Sequence, residues 1–116
     1  MTETLDQTRE RVQRRLDQWQ GGYAQLWEYT VSLAILTIRL AFEHRHGNLH
    51  LVCSPCLTIA AAVDWDDCHL QVHLEEAEPG EELFVVEDQR AGLRVSCRGI
   101  DVLENVDPVY PALSHS

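Results

Sequence analysis

Downstream of the Gly21-Gly22 pair, apolar residues recur at every second position for most of the chain. Tyr29, Val31, Leu33 and Ile35 alternate with polar or small residues, as do Leu36, Ile38, Leu40 and Phe42. Leu57, Ile59, Ala61, Val63 and Trp65 repeat the pattern, and so do Leu70, Val72 and Leu74. A period of two places one row of side chains on one face of a strand, so the body of this chain has to fold as half-buried sheet. The connections are short. Parallel neighbours need long crossovers, so mainly antiparallel pairing follows.

The apolar phase slips by one at residues 34–36. One slip turns the buried face over, which predicts a bulge or a sharp bend there. His44-Arg45-His46-Gly47-Asn48 reads as a loop with a glycine suited to a left-handed position, and Leu49–Ser54 returns as the second arm of a hairpin. Residues 57–65 read as a strand. The competing reading is a helix opening at Pro55 with Ser54 as its cap and three alanines inside. Glu78-Pro79-Gly80-Glu81 is a turn, and Leu83–Val86 and Leu93–Cys97 flank a loop at Asp88–Gly92. Ile100–Val106 reads as the last strand. Pro108 and Pro111 then end regular structure, leaving residues 108–116 as a tail.

Only the first 22 residues break this pattern. Residues 2–20 read as a helix, with Thr2 as a candidate N-cap and Gly21-Gly22 as the stop. Leu5, Val12, Leu16 and Trp19 fall on one stripe, narrower than the face of a well-buried helix. That narrowness predicts a homodimer in which residues 1–20 form part of the contact. At 116 residues the chain is long enough for one self-sufficient core. The reading is a single α+β domain. An N-terminal helix (1–22) precedes a mainly antiparallel sheet, or partly closed barrel, of six to seven strands (23–107).

Charge is the strongest pointer to partners. The chain carries a formal net charge of −10. Residues 1–20 balance, with four acids against four arginines, so the excess lies in the body of the domain. Ten carboxylates and no Lys or Arg lie between Asp64 and Asp88. Such a run repels phosphate and anionic lipid and attracts cationic surfaces. Nucleic acid and membranes are therefore expected to be excluded, and a basic protein surface is the expected partner. Asp64, Asp66, Asp67, Glu75, Glu78, Glu81 and Glu82 are the candidate contact residues. All nine basic residues are Arg, which excludes lysine Schiff-base chemistry and a lysine-centred phosphate loop. No apolar window is long enough to span a bilayer, and the N-terminus lacks a signal-peptide core. A cytoplasmic location is expected, where Cys53, Cys56, Cys68 and Cys97 stay reduced.

Cys53-Ser54-Pro55-Cys56 is the sharpest local motif. A Cys-x-x-Cys knuckle offers two thiolates to one metal, and structural zinc needs four ligands. Cys68 and His69 would have to complete the set, with Cys97 in reserve. A strand leading into Cys-x-Pro-Cys also resembles the thioredoxin active-site segment over a short stretch. The residues before it read as helix and hairpin, unlike that family's strand–helix–strand start, so no membership is assigned. His44, His46 and His50 can converge near a hairpin turn, but Arg45 between them repels a cation. Asp64-x-Asp66-Asp67 has oxygen ligands suited to calcium but lacks the glycine and glutamate offsets of an EF-hand loop. No nucleophile elbow, phosphate-cradling loop or zinc-protease helix is present. The expectation is a non-catalytic binding module without a cofactor that inhibits or escorts a basic partner. The alternative is a zinc-binding or thiol-redox protein built on Cys53 and Cys56.

Overall fold

The computed structural model describes residues 2–105. One helix, α1 (Leu5–Asp17), is followed by nine strands: β1 (Tyr23–Thr30), β2 (Ile35–Phe42), β3 (Arg45–Cys53), β4 (Cys56–Ala60), β5 (Asp64–Trp65), β6 (Gln71–Glu78), β7 (Glu81–Asp88), β8 (Leu93–Cys97) and β9 (Ile100–Glu104). They form two antiparallel sheets, ordered β5-β1-β2-β3-β9 and β4-β8-β7-β6. The α+β reading holds, as two open sheets and not a closed barrel. The core is the apolar alternation itself. Leu36, Ile38, Leu40, Leu49 and Leu51 from the first sheet join Val72, Phe84, Val86 and Val95 from the second in one buried cluster.

The two sheets are joined at a corner. Cys53 on β3 faces Ile100 on β9, and Cys56 on β4 faces Cys97 on β8. Between these pairs, Ser54 N donates to Gly99 O (2.9 Å) and Arg98 N donates to Pro55 O (3.0 Å). Residues 49–60 and 94–104 are thus one antiparallel ribbon bent from sheet to sheet. Gly99 has to be glycine for the bend to close, because a Cβ there would lie 2.5 Å from the Ser54 carbonyl oxygen.

Two strands beyond the expected count arise where alternation ran through a break. The phase slip at 34–36 is a full chain reversal: a 3-10 turn (Val31–Leu33) ends on Ala34 in the left-handed conformation, separating β1 from β2. Residues 57–65 are strand rather than helix. They split, however, into β4 in one sheet and β5 in the other. The expected loop at His44–Asn48 is smaller, a turn at Glu43-His44. Gly47, at φ +96°, lies within β3 where the pairing with β2 shifts register. A left-handed glycine marks bulges as well as turns. The Pro79-Gly80 turn and the 89–92 connection stand as read. The last strand ends at Glu104, and the residues read as a tail lie outside the described residues.

α1 is capped at Thr4, not Thr2, because Thr4 and Gln7 form a reciprocal capping box. Its stripe does not await a second copy. Val12, Leu16 and Trp19 are at most 1% exposed within the single chain, and of the stripe only Leu5 stays exposed, at 41%. The stripe can be narrow because glutamines extend it. Gln13 Oε1 accepts from Val72 N (2.7 Å) and Gln20 Oε1 from Leu70 N (2.8 Å), while both side-chain amides donate to Leu70 O (3.1 and 2.7 Å). Gln13 on the helix and Gln20 just beyond it therefore cap the start of the open β6 edge with side-chain amides. Arg11 and Arg15 reach Asp101 (3.0 Å) and Glu104 (2.8 Å) at the edge of the first sheet. The argument for a dimer through residues 1–20 loses its basis here, since α1 is packed against its own domain.

Candidate functional site

The acidic run resolves into three kinds of carboxylate. Asp88 is structural: it is buried, and its Oδ2 accepts from Trp65 Nε1 and His69 N, both at 2.8 Å. A second group is neutralised by arginines that lie beyond the run in sequence. Arg90 meets Asp67 (3.1 Å), Arg98 meets Glu81 (3.1 Å), and Arg94 bridges Glu75 (2.7 Å) and Glu87 (3.2 Å). His73 Nε2 stands 2.8 Å from Glu75 and 3.2 Å from Glu87 in the same network. Hydrogen bonds from His73 and then Arg94 hold the Glu75 carboxyl below its usual pKa, and the same carboxylates raise Arg94.

The third group has no cation against it: Asp64 and Asp66 at one end of the run and three glutamates at the other. Glu76, Glu78 and Glu82 are exposed at the β6–β7 hairpin tip and make no ion pair among the described residues. The register is notable here. Glu76 lies directly opposite Glu82, and Glu78 directly opposite Glu81. Like charges facing each other across a ladder destabilise it. The tip thus stacks four carboxylates in two repelling pairs, with Arg98 against one of them.

The seven carboxylates expected to form one face do not. Glu78, Glu81 and Glu82 gather at the tip, and Glu75 is tied into the Arg94 network. Asp64, Asp66 and Asp67 lie near the other end of β7, where Arg90 pairs with Asp67 and Asp88 anchors the intervening chain through Trp65 and His69. Eight strand residues separate the two groups by roughly 20 Å. Asp64 is instead turned to Tyr23, whose hydroxyl pKa it raises by hydrogen bonding. Glu76, which is not among the seven, completes the tip. Its signal was available only jointly with Glu82, through the two-residue turn that sets their register.

The sequence-derived metal set does not converge. Cys53 and Cys56 sit at the corner with Cys97, all buried. Cys68 lies elsewhere, its thiol donating to Trp19 O (3.5 Å), and His69 Nδ1 is turned to Asp67 O (2.9 Å). Hydrogen bonding to Cys97 and burial push the Cys53 thiol well above its ordinary pKa, and burial also raises Cys56. Without a cation beside them these thiols favour the protonated form, the less nucleophilic one. Among the described residues only His73, Glu75 and Glu87 bring three potential ligand atoms within 4.8 Å of one another. Arg94 already supplies the positive charge at that point. The histidine trio His44, His46 and His50 forms no such group.

A surface groove of about 580 Å³ runs beside the β2–β3 turn, lined in part by Tyr23, Phe42, His44, Arg45 and Asp66. Arg45 stacks over Trp19 at 4.1 Å, and Trp19 stacks on Phe42 at 5.8 Å, so this wall is held by aromatic packing. No helix of the described structure is long and apolar enough to cross a membrane. The chain matches no family model, and no curated protein or solved structure matches it. What the site defines is a class: a two-sheet α+β domain carrying an uncompensated acidic hairpin.

Proposed function

We propose that this protein is a non-catalytic binding module whose working surface is the β6–β7 hairpin tip, and that its partner is a cationic protein surface which it inhibits or escorts. One observation carries the reading. Glu76 faces Glu82 and Glu78 faces Glu81 across the ladder, an arrangement that costs the free protein stability. A cationic partner set against the tip removes that cost and gains charge-assisted hydrogen bonds. Opposed fields also raise encounter rates and reject wrong partners. The reading places the protein in the cytoplasm, where its buried thiols remain reduced.

The test is a calorimetric titration with an arginine-rich peptide at low and physiological salt. Wild type is expected to bind, more weakly as salt rises. The Glu76→Gln/Glu78→Gln/Glu82→Gln variant is expected to lose most of that affinity. An Asp64→Asn/Asp66→Asn/Asp67→Asn variant, which removes equal charge elsewhere, is expected to keep it. Equal losses in the two variants would mean that net charge, not the tip, attracts the peptide.

A further inference from the structure

The opposite edge of the second sheet has the reverse character. Residues 29–38 and 51–63 contain no charged side chain, in a chain of net charge −10. The fold sets these two segments side by side. Cys56 N donates to Ala34 O (2.7 Å), tying the start of β4 to the 3-10 turn after β1, and Leu26 N donates to Val63 O (2.8 Å), tying the end of the β4–β5 linker to β1. Eight large apolar residues are exposed among those described, and six of them lie here: Tyr29, Val31, Leu33, Leu57, Ile59 and Val63, each 40% to 79% exposed.

Each sheet has an edge strand within or directly after the second of these segments. β4 is the terminal strand of its sheet, and β5 pairs with β1 only at Ala24 and Gln25. Edge strands are usually protected by a charge, a proline or a covering element. Between Cys56 and Val63 there is neither charge nor proline. The other edge strand of this sheet, β6, has Gln13 of α1 bonded to Val72 near its start and carries Glu75, Glu76 and Glu78 further along, so the contrast lies within one sheet.

We infer that this edge is a dimer interface, and that its occupant is a second copy of the same chain, joined antiparallel through β4 about a two-fold axis. Charge selects that occupant. Two copies of net charge −10 repel wherever carboxylates face each other, and this edge is where they can meet without doing so. A cationic partner of the kind the hairpin attracts gains nothing electrostatically from an uncharged strand. Antiparallel pairing about a two-fold axis is isologous, so identical edges are matched in length and polarity by construction. The six side chains expose roughly 600 Å² per copy, and about 1,200 Å² for the pair reaches the lower bound of specific interfaces. β4 and β6 are opposite edges of one sheet, so the dimer leaves both acidic hairpins outside the seam.

The test is sedimentation of the full chain across a concentration series at low and high salt. A dimer is expected, and raised salt is expected to strengthen it by screening the repulsion between copies. Binding through the acidic hairpin has the opposite salt dependence, so the two interactions fail separately. Ile59→Glu on β4 is expected to give a monomer. Val63→Glu lies outside the strand at a position 74% exposed, and it decides the matter if Ile59→Glu misfolds. It too is expected to give a monomer with an unchanged circular dichroism spectrum. Leu103→Glu, an exposed apolar residue on β9, is expected to remain dimeric. The inference is overturned by a wild-type monomer at the highest concentration in high salt. It is equally overturned by dimers that survive Ile59→Glu or Val63→Glu in folded form, or by dissociation with Leu103→Glu.

Discussion

At the scale of single residues, the corner between the sheets is the most demanding part of the chain. Cys53 and Cys97 fill it as small buried hydrophobes in mutual contact. Cys53→Ser would bury a hydroxyl among them, and a loss of about 1–3 kcal/mol is expected in denaturant melts. Cys53→Ala is expected to cost less. A strong chelator is expected to leave the wild-type midpoint unchanged; a drop would restore the zinc reading. Gly99→Ala drives a methyl into the Ser54 carbonyl, a contact with backbone that cannot swing aside, so it is expected to exceed the cost of Cys53→Ala. The thiols also give a pH signature. Burial raises Cys68 from 9.0 to about 11, and Cys53 and Cys56 shift the same way. In the unfolded chain these thiols ionise first. Stability is therefore intact below pH 9 and drains as pH climbs towards 11. Cys68→Ala is expected to flatten that decline.

At the scale of elements, alternation located the strands and Pro79-Gly80 located the hairpin, because both are local properties of the chain. Three things were not local. The linker at 61–63 carries the chain from one sheet to the other while the alternation through Ala61 and Val63 runs on, so one expected strand became two. The helix stripe is narrow in sequence because its contact is extended by Gln13 and Gln20, which bond the Leu70 and Val72 backbone 50 and 59 residues away, a pairing no local pattern announces. The acidic run looked uniform because Arg90, Arg94 and Arg98 lie beyond it and reach it only through strand register. Removing both glutamines, Gln13→Ala with Gln20→Ala, is expected to cost about 1–2 kcal/mol each by stranding the Leu70 and Val72 backbone groups. The hairpin behaves in the opposite sense. Glu76→Gln removes a like-charge pair, and thermal melts are expected to show a gain of about 0.5 kcal/mol. A Gln substitution that destabilised the hairpin would mean the pair is not repulsive.

At the scale of the whole molecule, the charge is sorted into regions of different use. The helix is balanced, the middle of the second sheet is neutralised by arginines, the β4 edge is uncharged, and the hairpin tip is left unpaired. On the proposed reading polyanions are not partners: titration with duplex DNA or RNA at physiological salt is expected to show no salt-dependent binding. It also ties specificity to position and not to net charge. The measurement that tests this most directly is a two-dimensional amide NMR titration of the labelled protein with an arginine-rich peptide. Shift changes are expected to concentrate on Glu75–Glu82 and to leave Asp64–Asp67 and Leu57–Val63 unmoved. Changes spread evenly over all acidic segments, or centred on Asp64–Asp67, would contradict the assignment of the hairpin as the working surface.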